Sequence, residues 1–215
     1  MKLHLGCGGN YFDGYVNIDY PPDKHTIQTN TKVDKYADIT KLKFPSNSIE
    51  EIRLHHVFEH FSRPIACALL VSWRSWLKSG GIIRIEVPDF DKTAFQILNP
   101  FSTHHQKNVS LRHIFGSNEA DWAVHYEGWS SGRLSLILNR LGFNIVKIKK
   151  NNWKHTYNFE IIAKKDERKF STGEIDKIIT DYLASFLVDR SDSEEQLLKV
   201  WISIYKSQVK KCHPK

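Results

Sequence analysis

Residues 2–19 read KLHLGCGGNYFDGYVNID, and this stretch decides the fold. Residues 2–5 alternate polar and apolar side chains, which predicts a short strand. The chain then turns at residues 6–9 (GCGG), where glycine lets the backbone bend sharply and approach a ligand without a Cβ in the way. A second strand is predicted at residues 15–19, ending on Asp19 shortly before a proline that cannot continue a ladder.

Strand and helix patterns alternate through the rest of the first three quarters of the chain. Further strands are predicted at residues 33–39, 48–55, 82–87, 143–148 and 159–163, and helices at residues 65–77 and 134–141, the first of them stopped by Gly80 and Gly81. This alternation predicts an α/β fold, a mainly parallel sheet with helices on both faces. Residues 149–158 are too few for a helical crossover, so the last two strands are expected to pair antiparallel.

The segment from residue 165 to residue 215 has a different character. Residues 171–174 (STGE) and 191–194 (SDSE) form capping boxes, and each precedes an apolar pattern with helical spacing. We therefore expect a C-terminal helical hairpin after a first domain of residues 1–164. The hairpin either packs on the sheet or forms the interface of a homodimer.

Composition excludes several classes of protein. The chain has 215 residues and a formal charge of +7, and its longest apolar runs are far shorter than the roughly 20 residues that span a bilayer. Its first residues show no signal-peptide pattern, and its three cysteines are scattered, so a reduced, cytoplasmic protein is expected. The basic charge would suit a nucleic acid, but the absence of a separate RNA-binding domain argues against that partner.

The glycine turn and two acids together predict a nucleoside site. A dinucleotide fingerprint would need a third glycine where Tyr11 stands, so a pyrophosphate site is not supported. Asp19, at the end of the second strand, can accept hydrogen bonds from both ribose hydroxyls. Asp38, at the end of the third, is placed to accept one from an adenine amino group.

Over about residues 2–164 the chain resembles the class I S-adenosylmethionine (SAM)-dependent methyltransferases. The resemblance is carried by residues 3–10 (LHLGCGGN), 14–19 (GYVNID), 37–40 (ADIT), 42–49 (LKFPSNSI), 55–60 (HHVFEH), 77–81 (LKSGG) and 87–89 (VPD). It is nearest to a branch often linked to sugar and surface-polysaccharide metabolism. It implies a seven-stranded sheet with the last strand antiparallel, and SAM as the cofactor.

The resemblance also implies roles for residues at matching positions. The glycine turn would hold the amino acid part of SAM, Asp19 the ribose, and Asp38 with Ile39 the adenine, while His55 would lie near the methionyl end. The cofactor-binding set implied is Gly6, Cys7, Gly8, Gly9, Asn10, Asp19, Tyr20, Asp38, Ile39 and His55. Residues 6–19 are short for a crossover, so the helix that usually follows the glycine turn should be about one turn long.

Seven of the 11 histidines lie between residues 55 and 125, and residues 56–60 (HVFEH) have the spacing H-x-x-E-H. A zinc peptidase has this spacing, but a five-residue match is weak. Some RNA 2'-O-methyltransferases and quinone O-methyltransferases hold a divalent ion on a similar E-x-x-E-H helix. Here His56 replaces the first carboxylate, which weakens the case for Mg²⁺, so we assign no metal ligand, and a divalent ion held by His56, Glu59 and His60 stays an open alternative. Two further interpretations are open: Glu59 and His60 form a hydrogen-bonded helix start, or His56 or His60 is a general base.

Residues 90–130 form a long insertion that should cover the acceptor, because such segments follow the carboxyl ends of parallel strands. His113 and His125 are candidates for acceptor contact or proton removal, and Trp122 and Trp129 either stack on a sugar or base or pack in the core. The candidate catalytic residues are therefore His56, His60 and His125, and the candidate substrate-binding residues are His113, Trp122 and Trp129.

The sequence thus predicts an enzyme that transfers the methyl group of SAM to an oxygen or nitrogen of a small-molecule or glycan acceptor. Two alternatives remain: a non-catalytic SAM- or nucleoside-binding module whose hairpin recruits a partner, and an RNA methyltransferase that exploits the positive charge.

Overall fold

The central sheet has seven strands in the order β3-β2-β1-β4-β5-β7-β6 in a computed structural model that describes residues 1–21 and 32–212. The strands are β1 (Lys2–Leu5), β2 (Val16–Asp19), β3 (Lys35–Tyr36), β4 (Ile49–His55), β5 (Leu77–Pro88), β6 (Phe143–Trp153) and β7 (Thr156–Lys165). The pairs from β3 to β5 are parallel, whereas β7 runs antiparallel to both β5 and β6. The predicted fold class is confirmed, including the single antiparallel strand.

Both faces of the sheet are covered, and this explains the apolar character of its strands. Leu3 and Leu5 of β1 are fully buried on one face, while His4 is fully buried on the other, where its Nδ1 lies 3.1 Å from Oδ1 of Asn17. The helices are α1 (Arg63–Trp76), α2 (Phe90–Leu98), α3 (His104–Phe115), α4 (Ser131–Arg140), α5 (Thr172–Ala184) and α6 (Asp192–Cys212).

The C-terminal hairpin packs on the sheet domain. Tyr182 and Leu183 of α5 and Tyr205 of α6 are buried in the same hydrophobic cluster as the strands and α1. Nε2 of Gln208 also donates to the carbonyl oxygen of Thr40 at 2.6 Å. The outer face of α6 exposes apolar side chains, and a homodimer through this face stays a prediction; residues 213–215 of the predicted hairpin lie outside the described residues.

None of the helices in the described part of the chain combines the length and the apolar character that a membrane span requires. The expected cytoplasmic location stays a prediction. Cys7, Cys67 and Cys212 are buried free thiols.

Two local predictions are wrong. The segment between β1 and β2 contains turns but no helix, because Asn17 holds it: its Oδ1 accepts from the backbone nitrogen of Phe12 at 3.0 Å, and its Nδ2 donates to the carbonyl oxygen of Phe12 at 3.0 Å. Gly80 and Gly81 do not stop α1. That helix ends at Trp76, and both glycines lie inside β5, which already begins to pair with β4 at Leu77.

Candidate cofactor and acceptor site

A cleft of about 640 Å³ opens at the carboxyl ends of β1, β2 and β4. Every residue of the predicted cofactor-binding set lines it, as do three further predicted site residues, His56, His60 and Trp122. Its remaining lining residues are Ala37, Thr40, Val57, Phe61, Ser117 and Glu119. The cleft therefore joins the glycine turn, the acids at the strand ends and the histidine-rich segment after β4.

The glycine turn has backbone conformations that other residues rarely adopt. Gly6 has φ +67°, its nitrogen donates to the carbonyl oxygen of Ile18 at 2.8 Å, and a Cβ built on it would lie 2.2 Å from Cγ2 of Val57. Gly8 has φ +53°. By contrast, a Cβ on Gly9 would meet no atom within 4 Å. A side chain at Gly6 would therefore clash with Val57, whereas the space beside Gly9 is open.

Asp19 fixes the same turn from the end of β2. Its side chain is 5% exposed; Oδ2 accepts from the backbone nitrogen of Gly8 at 2.6 Å and Oδ1 from that of Tyr20 at 2.7 Å. Sγ of Cys7 also donates to Oδ2 at 3.8 Å, so this carboxylate holds the glycine turn and at the same time lines the cleft. Burial and the nearby charge of Asp19 raise the pKa of Cys7 to about 12, so its thiol is neutral and does not act as a nucleophile.

Asp38 has a local role in addition to its place in the cleft wall. It caps a short 3₁₀ turn (Ile39–Lys41), accepting from the backbone nitrogen of Thr40 at 2.9 Å and from its hydroxyl at 2.6 Å. Burial works to raise the pKa of Asp38, but these hydrogen bonds and the ammonium of Lys41 hold it below its usual value. The carboxylate is therefore ionised and anchors the backbone of Ile39 beside the cleft.

Beyond the glycine turn, the cleft ends at a network of imidazoles and carboxylates. Nε2 of His55 lies 2.9 Å from Oε2 of Glu86, while Nδ1 of His56 lies 3.3 Å from Oε1 of Glu59. His56 has φ +52°, a strained conformation for a side chain of its size. Burial alone would lower the pKa of His56, but the carboxylates of Glu59 and Glu86 raise it overall.

His125 lies behind this wall, next to His60. The two rings are perpendicular, with centroids 4.7 Å apart, and Nε2 of His125 is 3.9 Å from Oε1 of Glu59. The insertion is held there because the backbone nitrogen of Tyr126 donates to the carbonyl oxygen of Glu59 at 2.9 Å, while Nδ1 of His60 donates to that of Val124 at 3.1 Å. Unlike His60, His125 does not line the cleft.

Two of the predicted substrate-binding residues, His113 and Trp129, do not line the cleft. Nε2 of His113 lies 2.9 Å from Oδ1 of Asn158, and the ring is not part of the cleft lining. Trp129 is 1% exposed and its ring stacks on that of Phe58, with centroids 4.9 Å apart, so it belongs to the hydrophobic core. The expectation that either one contacts the acceptor does not fit these positions, since one ring is held by β7 and the other is enclosed by apolar side chains.

Several residues of the cleft, and of the imidazole and carboxylate network at its end, are not predicted from the sequence. In the network, Glu86 lies opposite His55 in the parallel register of β4 and β5, and this register cannot be read from the sequence. Ser117 and Glu119 also line the cleft, and they follow Gly116, the residue that ends α3. In the sequence, only the run of polar residues after this glycine points to them.

The chain matches no protein-family model and no curated protein. Its structure is similar to that of a SAM-dependent methyltransferase from Methanosarcina mazei, with 14% identity and a TM-score of 0.51 over 78% of this chain and 92% of that one. A SAM-dependent methyltransferase from Archaeoglobus fulgidus has 19% identity and a TM-score of 0.51, covering 76% of this chain and 85% of its own.

A third similar structure is the 1,6-didemethyltoxoflavin-N1-methyltransferase of Burkholderia thailandensis, solved with its substrate and S-adenosylhomocysteine. It has 12% identity and a TM-score of 0.50, covering 77% of this chain and 71% of its own. At such low identity these similarities establish the fold, which is that of class I SAM-dependent methyltransferases.

Proposed function

We propose that this chain binds SAM in the cleft and transfers its methyl group to an oxygen or nitrogen of a small-molecule or glycan acceptor. One observation carries the proposal: a single cleft joins the glycine turn, Asp19, the Asp38–Ile39 segment and the histidine wall. The fold shared with SAM-dependent methyltransferases, one of them solved with S-adenosylhomocysteine, supports the same choice of cofactor.

The residues present fit SAM from one end to the other. Backbone groups of the glycine turn would hold its amino acid part, Asp19 its ribose hydroxyls, and Ile39, anchored by Asp38, its adenine. The open side of Gly9 leaves room for this approach. When bound, SAM supplies a methyl group activated by a positive sulfur. Val57, Phe61 and Trp122 give the cleft apolar walls, which would exclude water from the acceptor.

For a hydroxyl acceptor, we assign the general base to His56. It lines the cleft, and the carboxylates of Glu59 and Glu86, whose nearest oxygens lie 3.3 and 3.7 Å from its two ring nitrogens, stabilise its protonated form. His60 also lines the cleft, whereas His125 can act only through its neighbours. Trp122, Ser117 and Glu119 are proposed to contact the acceptor. Proximity and orientation would supply much of the rate.

No observation on the described residues favours either of the two alternatives, a non-catalytic SAM-binding module or an RNA methyltransferase. A non-catalytic module would leave the histidine wall unexplained, and an RNA methyltransferase would rest on the net charge alone.

The proposal is tested with methyl-labelled SAM and a set of small molecules and sugars that carry hydroxyl or amine groups. We expect label to move to at least one of them with the wild-type chain and not with Asp19→Ala. Binding of S-adenosylhomocysteine without transfer to any acceptor would favour the non-catalytic module.

A further inference from the structure

Two clusters in the described residues bring three possible metal-ligand atoms within 4.8 Å of one another: His55, His56 and Glu86 in one, and Glu59, His60 and His125 in the other. In the first cluster both oxygens of Glu86 already have partners. Oε2 lies 2.9 Å from His55, and Oε1 accepts from Asn151 at 3.2 Å. That cluster is satisfied by its own hydrogen bonds.

The second cluster contains a buried carboxylate with an unused oxygen. Glu59 is 1% exposed, and its Oε2 has no hydrogen-bond partner among the described residues. A buried oxygen of this kind costs free energy unless something bonds to it, and a charged one costs more. The hydrogen bonds of the two histidines in the cluster show which of their ring nitrogens can offer lone pairs.

Both histidines use Nδ1 to contact a backbone carbonyl oxygen, and Nε2 of His125 lies 3.9 Å from Oε1 of Glu59. Nδ1 of His60 lies 3.1 Å from the carbonyl oxygen of Val124, and Nδ1 of His125 lies 3.0 Å from that of His113. A carbonyl oxygen can only accept, so each Nδ1 is the donor and each Nε2 keeps its lone pair. A backbone carbonyl behind the ring is the usual support of a metal-binding histidine.

We propose that Glu59, His60 and His125 bind one divalent transition-metal ion, of the class that includes Zn²⁺, Co²⁺ and Fe²⁺. Two imidazoles with one carboxylate suit these ions, whereas Mg²⁺ prefers a set made of oxygens. The site replaces the sequence-based assignment of no metal ligand, because the fold brings His125 from the far part of the insertion to Glu59.

The position of the site suggests its use. Because His60 lines the cleft, a bound ion would lie beside the acceptor, where a Lewis acid lowers the pKa of a hydroxyl. This use rests on the proposed function, whereas the metal site itself does not.

The test is a titration of the full chain, stripped with a chelator, with Co²⁺ followed by its visible absorption and with Zn²⁺ followed by calorimetry, both without SAM. We expect one ion per chain, and an affinity weaker by at least about 10- to 100-fold, the usual cost of losing even a residue that only supports a ligand, in Glu59→Gln, His60→Ala and His125→Ala. His104→Ala, an exposed histidine, and His55→Ala, from the other cluster, should keep the wild-type affinity.

Thermal unfolding provides a second readout in case a variant folds poorly. Zn²⁺ should raise the Tm of the wild type and leave that of Glu59→Gln unchanged. The site would be overturned if no ion bound, if the three ligand variants kept the wild-type affinity, or if His55→Ala lost it. Binding of S-adenosylhomocysteine by the metal-free chain is measured separately, so failure here leaves the cofactor proposal standing.

Discussion

The carboxylate of Asp19 accepts a hydrogen bond of 2.6 Å from the backbone nitrogen of Gly8, so the acid at the end of β2 holds the glycine turn that follows β1. The same carboxylate lines the cleft. A residue expected to bind only the ribose therefore also shapes the backbone that faces the rest of the ligand.

Asp19→Ala should weaken both ligand binding and the fold. It removes the acceptor of the backbone nitrogens of Gly8 and Tyr20, and the loss of these part-buried hydrogen bonds should cost about 0.5–1.5 kcal/mol of unfolding free energy each. Urea unfolding and calorimetry with S-adenosylhomocysteine measure the two effects. Asp13→Ala, an exposed acid of the same loop, is the control. Unchanged affinity in Asp19→Ala would show that the cofactor site is assigned wrongly.

Gly6→Ala should destabilise the chain through Val57. The new Cβ would lie 2.2 Å from Cγ2 of Val57, and φ +67° costs a non-glycine residue about 1–2 kcal/mol. Adding Val57→Ala should recover the part of the loss that comes from the clash, which unfolding of both variants measures. Gly9→Ala, whose Cβ meets nothing within 4 Å, should unfold like the wild type. Equal losses at Gly6 and Gly9 would contradict the geometry of the turn.

His56→Ala should slow methyl transfer to a hydroxyl acceptor about 10²- to 10⁴-fold, the usual contribution of a general base. The KM for SAM should stay close to the wild-type value, because the effect falls on the chemical step. Initial rates with the acceptor found by the labelled-methyl screen measure both. A raised KM with an unchanged kcat would make His56 a binding residue instead.

Lys165 should make the unfolding free energy of the chain depend on pH in the alkaline range. Its ammonium donates to the carbonyl oxygen of Leu77 and to Oδ1 of Asn47, and burial, with Arg74 nearby, lowers its pKa to about 8. Between about pH 8 and the ordinary lysine value near 10.4, Lys165 binds a proton in the unfolded chain but not in the folded one, so its own contribution to the unfolding free energy rises with pH in this window. Urea unfolding should therefore show that the wild type gains stability relative to Lys165→Met as pH rises across the window. Parallel pH profiles would contradict it.

The convergence of the proposed cofactor-binding residues could be predicted because it depends on topology. Carboxyl ends of parallel strands meet at one edge of a sheet, so the glycine turn after β1, Asp19 after β2 and His55 at the end of β4 had to converge.

The proposed acceptor half could not be predicted, because it depends on the register of β4 against β5 and on how the insertion after β5 folds. Glu86 meets His55 only in the observed β4–β5 register, and His125 meets Glu59 only because the insertion folds back onto the turn after β4. Trp129 and Trp122 look alike in sequence, yet one stacks on Phe58 in the core and the other lines the cleft. Neither tryptophan lies in an α-helix or a β-strand, so no periodic pattern gives the direction of its side chain.

Calorimetric titration of the wild-type chain with S-adenosylhomocysteine tests the proposed cofactor site most directly. We predict binding at one site per chain, lost in Asp19→Ala and kept in Asp13→Ala. A folded wild-type chain that binds neither SAM nor S-adenosylhomocysteine would contradict the proposal, whatever its fold.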